Sequence, residues 1–294
     1  MKWEDLGRSS NVEDFRMRGS SRGSGGRVSI RLIIMIVRFL IKTKLGRIVL
    51  VLGLIGGGIA HFMGYNPLGL LDGSSMAKRA PQVISAEDNR SAAFVSAVLG
   101  QTEIIWGELF KHDGKKYEEP KLVLFRGGVK SGCGYASSQT GPFYCPSDKK
   151  VYLDLGFFDE LSHKFNAPGD FAQAYVIAHE VGHHVQNLRG TLTKSHRLKK
   201  QSSKNEANAV QVMVELQADC YSGVWAHYLD DILEEGDIEE ALNAASAIGD
   251  DTLQKQSRGY VVPDSFTHGS SADRMKWFKR GLSGGKLSSC ETGI

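Results

Sequence analysis

The stretch Ala178-His179-Glu180-Val181-Gly182-His183-His184 carries the residues best equipped for chemistry. In a helix, His179 and His183 stand four apart on one face, one turn from each other. Two imidazoles so placed can share one tetrahedral metal ion, and zinc suits such donors. Glu180, beside the first histidine, can take a proton from water at the metal's open position. Nine histidines occur in 294 residues, so a chance pair of surface or core histidines is the competing account. Residues downstream favour the metal. His184 lies about 100° around the helix from His183 and is expected to be a bystander.

A catalytic zinc needs three protein ligands plus water. The third is expected from Glu215-Leu216-Gln217-Ala218-Asp219-Cys220. Glu215 and Asp219 are four apart in a mostly apolar run that includes Val210, Val212, Val214 and Tyr221. Two acids in a buried stretch call for a cation. Glu215 is therefore the expected ligand. Asp219, one turn on, is expected to accept a proton from the second ring nitrogen of a ligand histidine. A third cluster runs from Asp264 to Arg274. Amide hydrolysis passes through an anionic intermediate that wants a donor, and His268 or Tyr260 can supply one. Arg274 can hold an acid such as Asp219. The alternative for this cluster is a capping loop with a surface histidine.

These groups need elements to position them. Phe171–Leu188 has apolar residues at three- and four-residue steps and no proline, with Asp170 as expected N-cap and Gly190 as stop. Asn205–Leu229 reads as a long helix carrying Glu215. Ser85 and Asp88 resemble a capping box for a helix to about Phe110. Similar signals predict a helix from Asp237 to about Gln254 and another from Ser271 to Arg280. Strands are expected at Lys121–Phe125, Phe143–Cys145 and Lys150–Asp154, and a short helix at Gly156–Leu161. The region between 126 and 140 reads as a loop. The basic segment 191–204 reads as a solvated, mobile loop or a flap over substrate.

Charged residues are 23%, hydrophobic ones 41%, and the net charge is +3. That balance is ordinary for a folded protein and gives no sign of a nucleic-acid partner. Residues 1–47 nevertheless hold eleven Lys/Arg against four acids. Residues 1–27 are Gly-, Ser- and Arg-rich and are expected to be a flexible cytoplasmic tail. Residues 28–47 form a basic juxtamembrane segment, apolar over 28–41 apart from Arg31 and Arg38. Residues 48–66 are long and apolar enough for one transmembrane helix, and 67–84 read as a linker. Lys42, Lys44 and Arg47 before the span predict a cytoplasmic N-terminus and an extracytoplasmic domain over 85–294. Gly53 and Gly57 hint at a homo-oligomer. Outside the cytoplasm disulfides are allowed. Cys133 and Cys145 flank a short loop and are expected to pair, which leaves Cys220 with Cys290.

Taken together, the chain resembles the bacterial "putative neutral zinc metallopeptidase" family. The resemblance rests on Ser10-Asn11-Val12-Glu13-Asp14, the single hydrophobic span, Gly141-Pro142-Phe143-Tyr144-Cys145-Pro146, His179 to Gln186, Glu215 to Cys220, and Ser265 to Ser270. It implies an α+β, mainly helical, zincin-like domain with a small antiparallel sheet. It also implies His179, His183 and a downstream Glu as zinc ligands. The Glu-x-x-x-Asp helix is similar to the gluzincin arrangement.

The function expected is a membrane-anchored zinc peptidase acting on a peptide or protein of the bacterial cell envelope. A strand near Val151–Asp154 is expected to offer its edge to an extended substrate. Two other readings compete: a non-catalytic envelope-interaction module with structural zinc, and a zinc amidase acting on cell-wall peptides.

Overall fold

Local hydrogen bonding sets the start of the first long helix. The Ser85 hydroxyl accepts from the Asp88 N–H while the Asp88 carboxylate accepts from the Ser85 N–H, so two orphan donors are satisfied reciprocally. Helix α1 follows over Ala86–His112. The structure, a computed structural model, describes residues 1–17, 35, 38–43, 46 and 84–294. The chain forms two units, Met1–Ser20 with Ile84–Ile294, and Ser21–Val83. Most of the basic segment 28–47, the expected span 48–66 with its Gly53/Gly57 pair, and the linker apart from Ile84 lie outside the described residues. Among the described residues no helix is long and apolar enough to cross a membrane.

The larger sheet has the order β1 (Val12–Asp14), β2 (Lys121–Phe125), β6 (Lys150–Asp154), β5 (Phe143–Cys145). The expected antiparallel sheet is in fact mixed. β1 pairs parallel with β2 and β2 parallel with β6, while only β5 runs antiparallel, against β6. The sequence of β2 and β6 gives the reason. Leu122, Leu124, Val151 and Leu153 enter one core cluster, and Val123, Phe125 and Tyr152 enter another. Strands apolar on both faces suit a parallel pair covered on both sides. β6 is therefore interior, and the edge expected near Val151–Asp154 belongs instead to β5. The expected loop after β2 holds a hairpin, β3 (Gly128–Ser131) with β4 (Gly134–Ser137). The Cys133–Cys145 disulfide joins its turn to β5.

Residues 1–17 are not a flexible tail. β1 sits in register with Leu122–Leu124, and Glu13 pairs with Lys150 at 2.7 Å and Lys121 at 3.2 Å, tying three strands together. Trp3 is buried against Phe94. The Met1 ammonium lies 2.8 Å from Asp170, 3.1 Å from Asp237 and 3.2 Å from Glu234. A tail on the far side of a membrane is incompatible with these contacts.

Seven further α-helices follow α1 in the chain: α2 (Gly156–His163), α3 (Asp170–Arg189), α4 (Thr191–Gln201), α5 (Lys204–His227), α6 (Asp237–Ala247), α7 (Asp250–Arg258) and α8 (Ser271–Gly284). Gly169, not Asp170, caps α3, whose far end turns at left-handed Gly190. α4 replaces the expected mobile loop: Ser195 is buried and Leu192 packs on the core, beneath an otherwise polar surface. The single helix expected from Asp237 is broken in two. Gly249 packs so closely on the start of α8 that a Cβ there would lie 2.4 Å from Ser271 Oγ. Asp237 makes no capping box; its carboxylate accepts from the Glu234 N–H and the Met1 ammonium. α5 and α8 cross at matched glycines, where a Cβ on Gly223 or Gly281 would strike the partner's backbone. The Cys220–Cys290 disulfide ties α5 to the short 3-10 turn Leu287–Cys290 that follows α8.

Candidate metal centre

The site forms where α3 and α5 pack. Gly182, inside the motif, lies over Ala218: a Cβ there would sit 3.1 Å from the Ala218 carbonyl oxygen. The missing side chain lets the two helices approach and brings Glu215 under both histidines. The Nε2 of His179 is 3.2 Å from Glu215 Oε2, and the Nε2 of His183 is 3.5 Å from the same oxygen. His179, His183 and Glu215 thus offer three ligand atoms within 4.8 Å of one another. The three residues expected as ligands are brought together.

The hydrogen bonds around them decide which ring nitrogens face inward. The Nδ1–H of His179 donates to Asp219 Oδ1 at 2.8 Å. Gln186 donates from Nε2 to the Val214 carbonyl and to Gln217, which turns its Oε1 toward His183 Nδ1 at 2.8 Å. Both Nδ1 atoms therefore act as donors, and both Nε2 lone pairs point at Glu215 Oε2. Three acceptors facing one another repel unless a cation stands between them. The donor set, two imidazoles and a carboxylate, fits zinc. Burial alone would lower the pKa of His179, but Asp219 and Glu215 outweigh it and push it up to about 10; a proton there answers the same need for positive charge. Glu215 is held well below the usual carboxylate range, against its own burial, by the two histidines.

Asp219 is fully buried and fully partnered. Tyr175 donates to it at 2.5 Å, and Arg274 reaches it through Nε and Nη2, both at 2.9 Å. Arg274 and His179 hold its pKa down to about 2, although burial acts in the opposite direction. Arg274, expected to hold an acid such as Asp219, lies on it, and Tyr175 joins it. Glu215 has its own support: Gln211 donates to Oε1 at 2.7 Å, and Lys199 of α4 donates to Gln211 at 2.5 Å. Tyr175 and Gln211 stand four residues before a ligand, and Gln186 three after one. Helical spacing could have found all three.

A cavity of about 900 Å³ opens over the ligands. Glu180 lines it, as do Phe143 and Tyr144 of β5, Lys199, and His268. His268 is half exposed, with Nδ1 3.3 Å from Asp250 Oδ1. That hydrogen bond raises its pKa, with burial opposing. Asp250 Oδ2 also accepts the backbone N–H groups of Thr267, His268 and Gly269. No local sequence signal marks Asp250, eighteen residues before its histidine. Tyr260 is exposed and does not line the cavity. His184 is buried on Tyr144 and the Glu118 carbonyl, away from the ligand cluster.

A mixed sheet thus accompanies a helix that carries His-Glu-x-x-His, and a second helix delivers a carboxylate to both histidines. The chain belongs to the "putative neutral zinc metallopeptidase" family, whose profile matches residues 1–293. It is 46% identical over 295 residues to "Uncharacterized protein YpfJ" of Escherichia coli (strain K12), covering 99% of this chain and 98% of that one. It is 43% identical over 211 residues to "Uncharacterized protein Rv2575" of Mycobacterium tuberculosis (strain ATCC 25618 / H37Rv), covering 67% of this chain and 69% of that one. No solved structure matches the chain significantly.

Proposed function

We propose that the protein is a membrane-associated zinc peptidase of the bacterial cell envelope. The observation that carries this reading is the convergence of His179 Nε2, His183 Nε2 and Glu215 Oε2 on the wall of a cavity that Glu180 also lines. Bound zinc would supply a Lewis acid and a water of lowered pKa. Glu180 takes the proton from the attacking water and passes it to the leaving amine. His268, oriented by Asp250, donates to the oxygen that gains charge at the scissile carbonyl. Asp219, with Arg274 and Tyr175 behind it, keeps His179 in the tautomer that presents Nε2. β5, the edge strand beside the cavity, offers backbone groups to an extended peptide.

Two disulfides suit an oxidising compartment, and the apolar stretch 48–66 suits a bilayer. A purely structural zinc has no use for Glu180 or for an open cavity, which favours an enzyme over a non-catalytic module. Glu180→Gln in the full chain is expected to keep zinc and lose cleavage of a peptide library. Cleavage unchanged by that substitution would sink the mechanism. Envelope proteomics of wild type against Glu180→Gln then reads out the substrate, and muropeptides test the amidase alternative.

A further inference from the structure

Helix α4 turns one side to the cavity. Leu192, Ser195, His196 and Lys199 recur at helical spacing and line it. The segment 190–204 holds Lys194, Arg197, Lys199, Lys200 and Lys204 and no acid. A wall so charged draws anions toward the cavity. Inside, the lining cations differ in what they face. Lys164 lies 3.1 Å from Glu160. Arg274 closes on both oxygens of Asp219. The half-buried Lys199 ammonium donates instead to a neutral oxygen, Gln211 Oε1, at 2.5 Å, and among the described residues no carboxylate pairs with it. An ammonium carries three donors, so the amide leaves others for a guest. A cation taken partly out of water is stabilised most by an anion. Gln211 also donates to Glu215 Oε1 at 2.7 Å. The remaining donors of Lys199 therefore stand two hydrogen bonds from a metal ligand, close to where a peptide would be cut.

We propose that Lys199 is the carboxylate-binding residue of the cavity, and that the preferred substrate is a peptide with a carboxylate close to the scissile bond. This rests on the peptidase reading above and gives it a substrate class. An Asp or Glu side chain and the C-terminal carboxylate of a peptide offer the same chemistry. An Asn, a Gln or an amidated end fills the same space without the charge.

The test uses the zinc-loaded full chain and a mixed-sequence decapeptide library made twice, with free and with amidated C-termini. Mass spectrometry of the products is expected to show one of two patterns. Asp and Glu enriched over Asn and Gln at a fixed position from the cut assigns the side chain. Cleavage near a free C-terminus that amidation abolishes assigns the chain end. Lys199→Met should lower that preference in kcat/KM roughly 10–100-fold, the value of a charge-assisted hydrogen bond, and Lys199→Arg should keep most of it. Lys199 also steadies Gln211, but a loss by that route weakens cleavage of all peptides alike and leaves the preference ratio unmoved. No preference in the wild type, or a preference that survives Lys199→Met, would overturn the proposal. If the wild type cuts neither library, the peptidase reading falls, and binding decides the carboxylate site. The probes are then fluorescein-labelled alanine peptides carrying one Glu or one Gln, each as acid and as amide, followed by anisotropy. Tighter binding of the carboxylate forms that Lys199→Met removes supports the site; equal binding of all forms refutes it.

Discussion

His179 and His268 each lean on an aspartate, yet the two arrangements differ in depth. At the floor of the cavity, Asp219 is enclosed and receives His179, Tyr175 and Arg274. At the rim, Asp250 spends one oxygen on three backbone N–H groups and leaves the other for a half-exposed His268. The floor is over-determined, as a metal site needs to be. The rim is set by one loop and can adjust to what binds. Damage at the floor should therefore appear in stability and metal retention, and damage at the rim in turnover alone.

The largest effect should come from Arg274→Met. It strips Asp219 of the cation facing both its oxygens, and breaking a buried pair costs about 3–5 kcal/mol. Urea unfolding of the full chain reads this. A loss below about 1 kcal/mol would show that His179 and Tyr175 suffice for Asp219 and that floor and rim are held alike. His268→Phe should instead leave unfolding and zinc content unchanged while kcat falls roughly 10²–10³-fold, the range for removing one oxyanion donor. Its pH profile is diagnostic. The Asp250 hydrogen bond raises the pKa of His268, so the protonated donor is kept above the ordinary histidine range and lost as pH rises further. The wild-type profile should show that alkaline fall and the variant should lack it. Gln211→Leu sharpens the comparison from between. It removes the hydrogen bond to Glu215 Oε1 and the acceptor of the Lys199 ammonium, and zinc affinity should fall about 10–100-fold. Competition with a chromogenic chelator measures it; an unchanged affinity would confine the support of the floor to Asp219. Gly182→Ala should cost about 1–3 kcal/mol from overpacking against the Ala218 backbone, seen in the same urea titration.

What the sequence made legible follows the range of the interaction. His179, Glu180 and His183 sit on one turn, and Glu215 and Asp219 on another, so helical spacing alone displays them. The caps at Ser85 and Ser270 are equally local. Misreadings arose where a distant partner decides. β1 is three residues long with two acids, and its strand depends on backbone pairing with Leu122–Leu124 and on Lys121 and Lys150 facing Glu13. The helix expected from Asp237 breaks because Ser271 presses on Gly249. α4 looks like a loop because its polar surface hides the single buried stripe that Ser195 and Leu192 form. The mixed sheet was masked because an apolar run does not announce the direction of its neighbour.

The pairing of β1 also sets a timetable. Val12 is synthesised early, but its partner Leu122 and the next strand beyond, Lys150–Asp154, leave the ribosome much later. Arg274, which completes the surroundings of Asp219, arrives nearly last. The first strand must wait unpaired while most of the chain is made, and contacts so far apart in sequence close slowly. A growing chain therefore carries its metal-binding motif long before it can hold that motif in shape, and only a nearly finished one has both the sheet edge and the buried arginine in place.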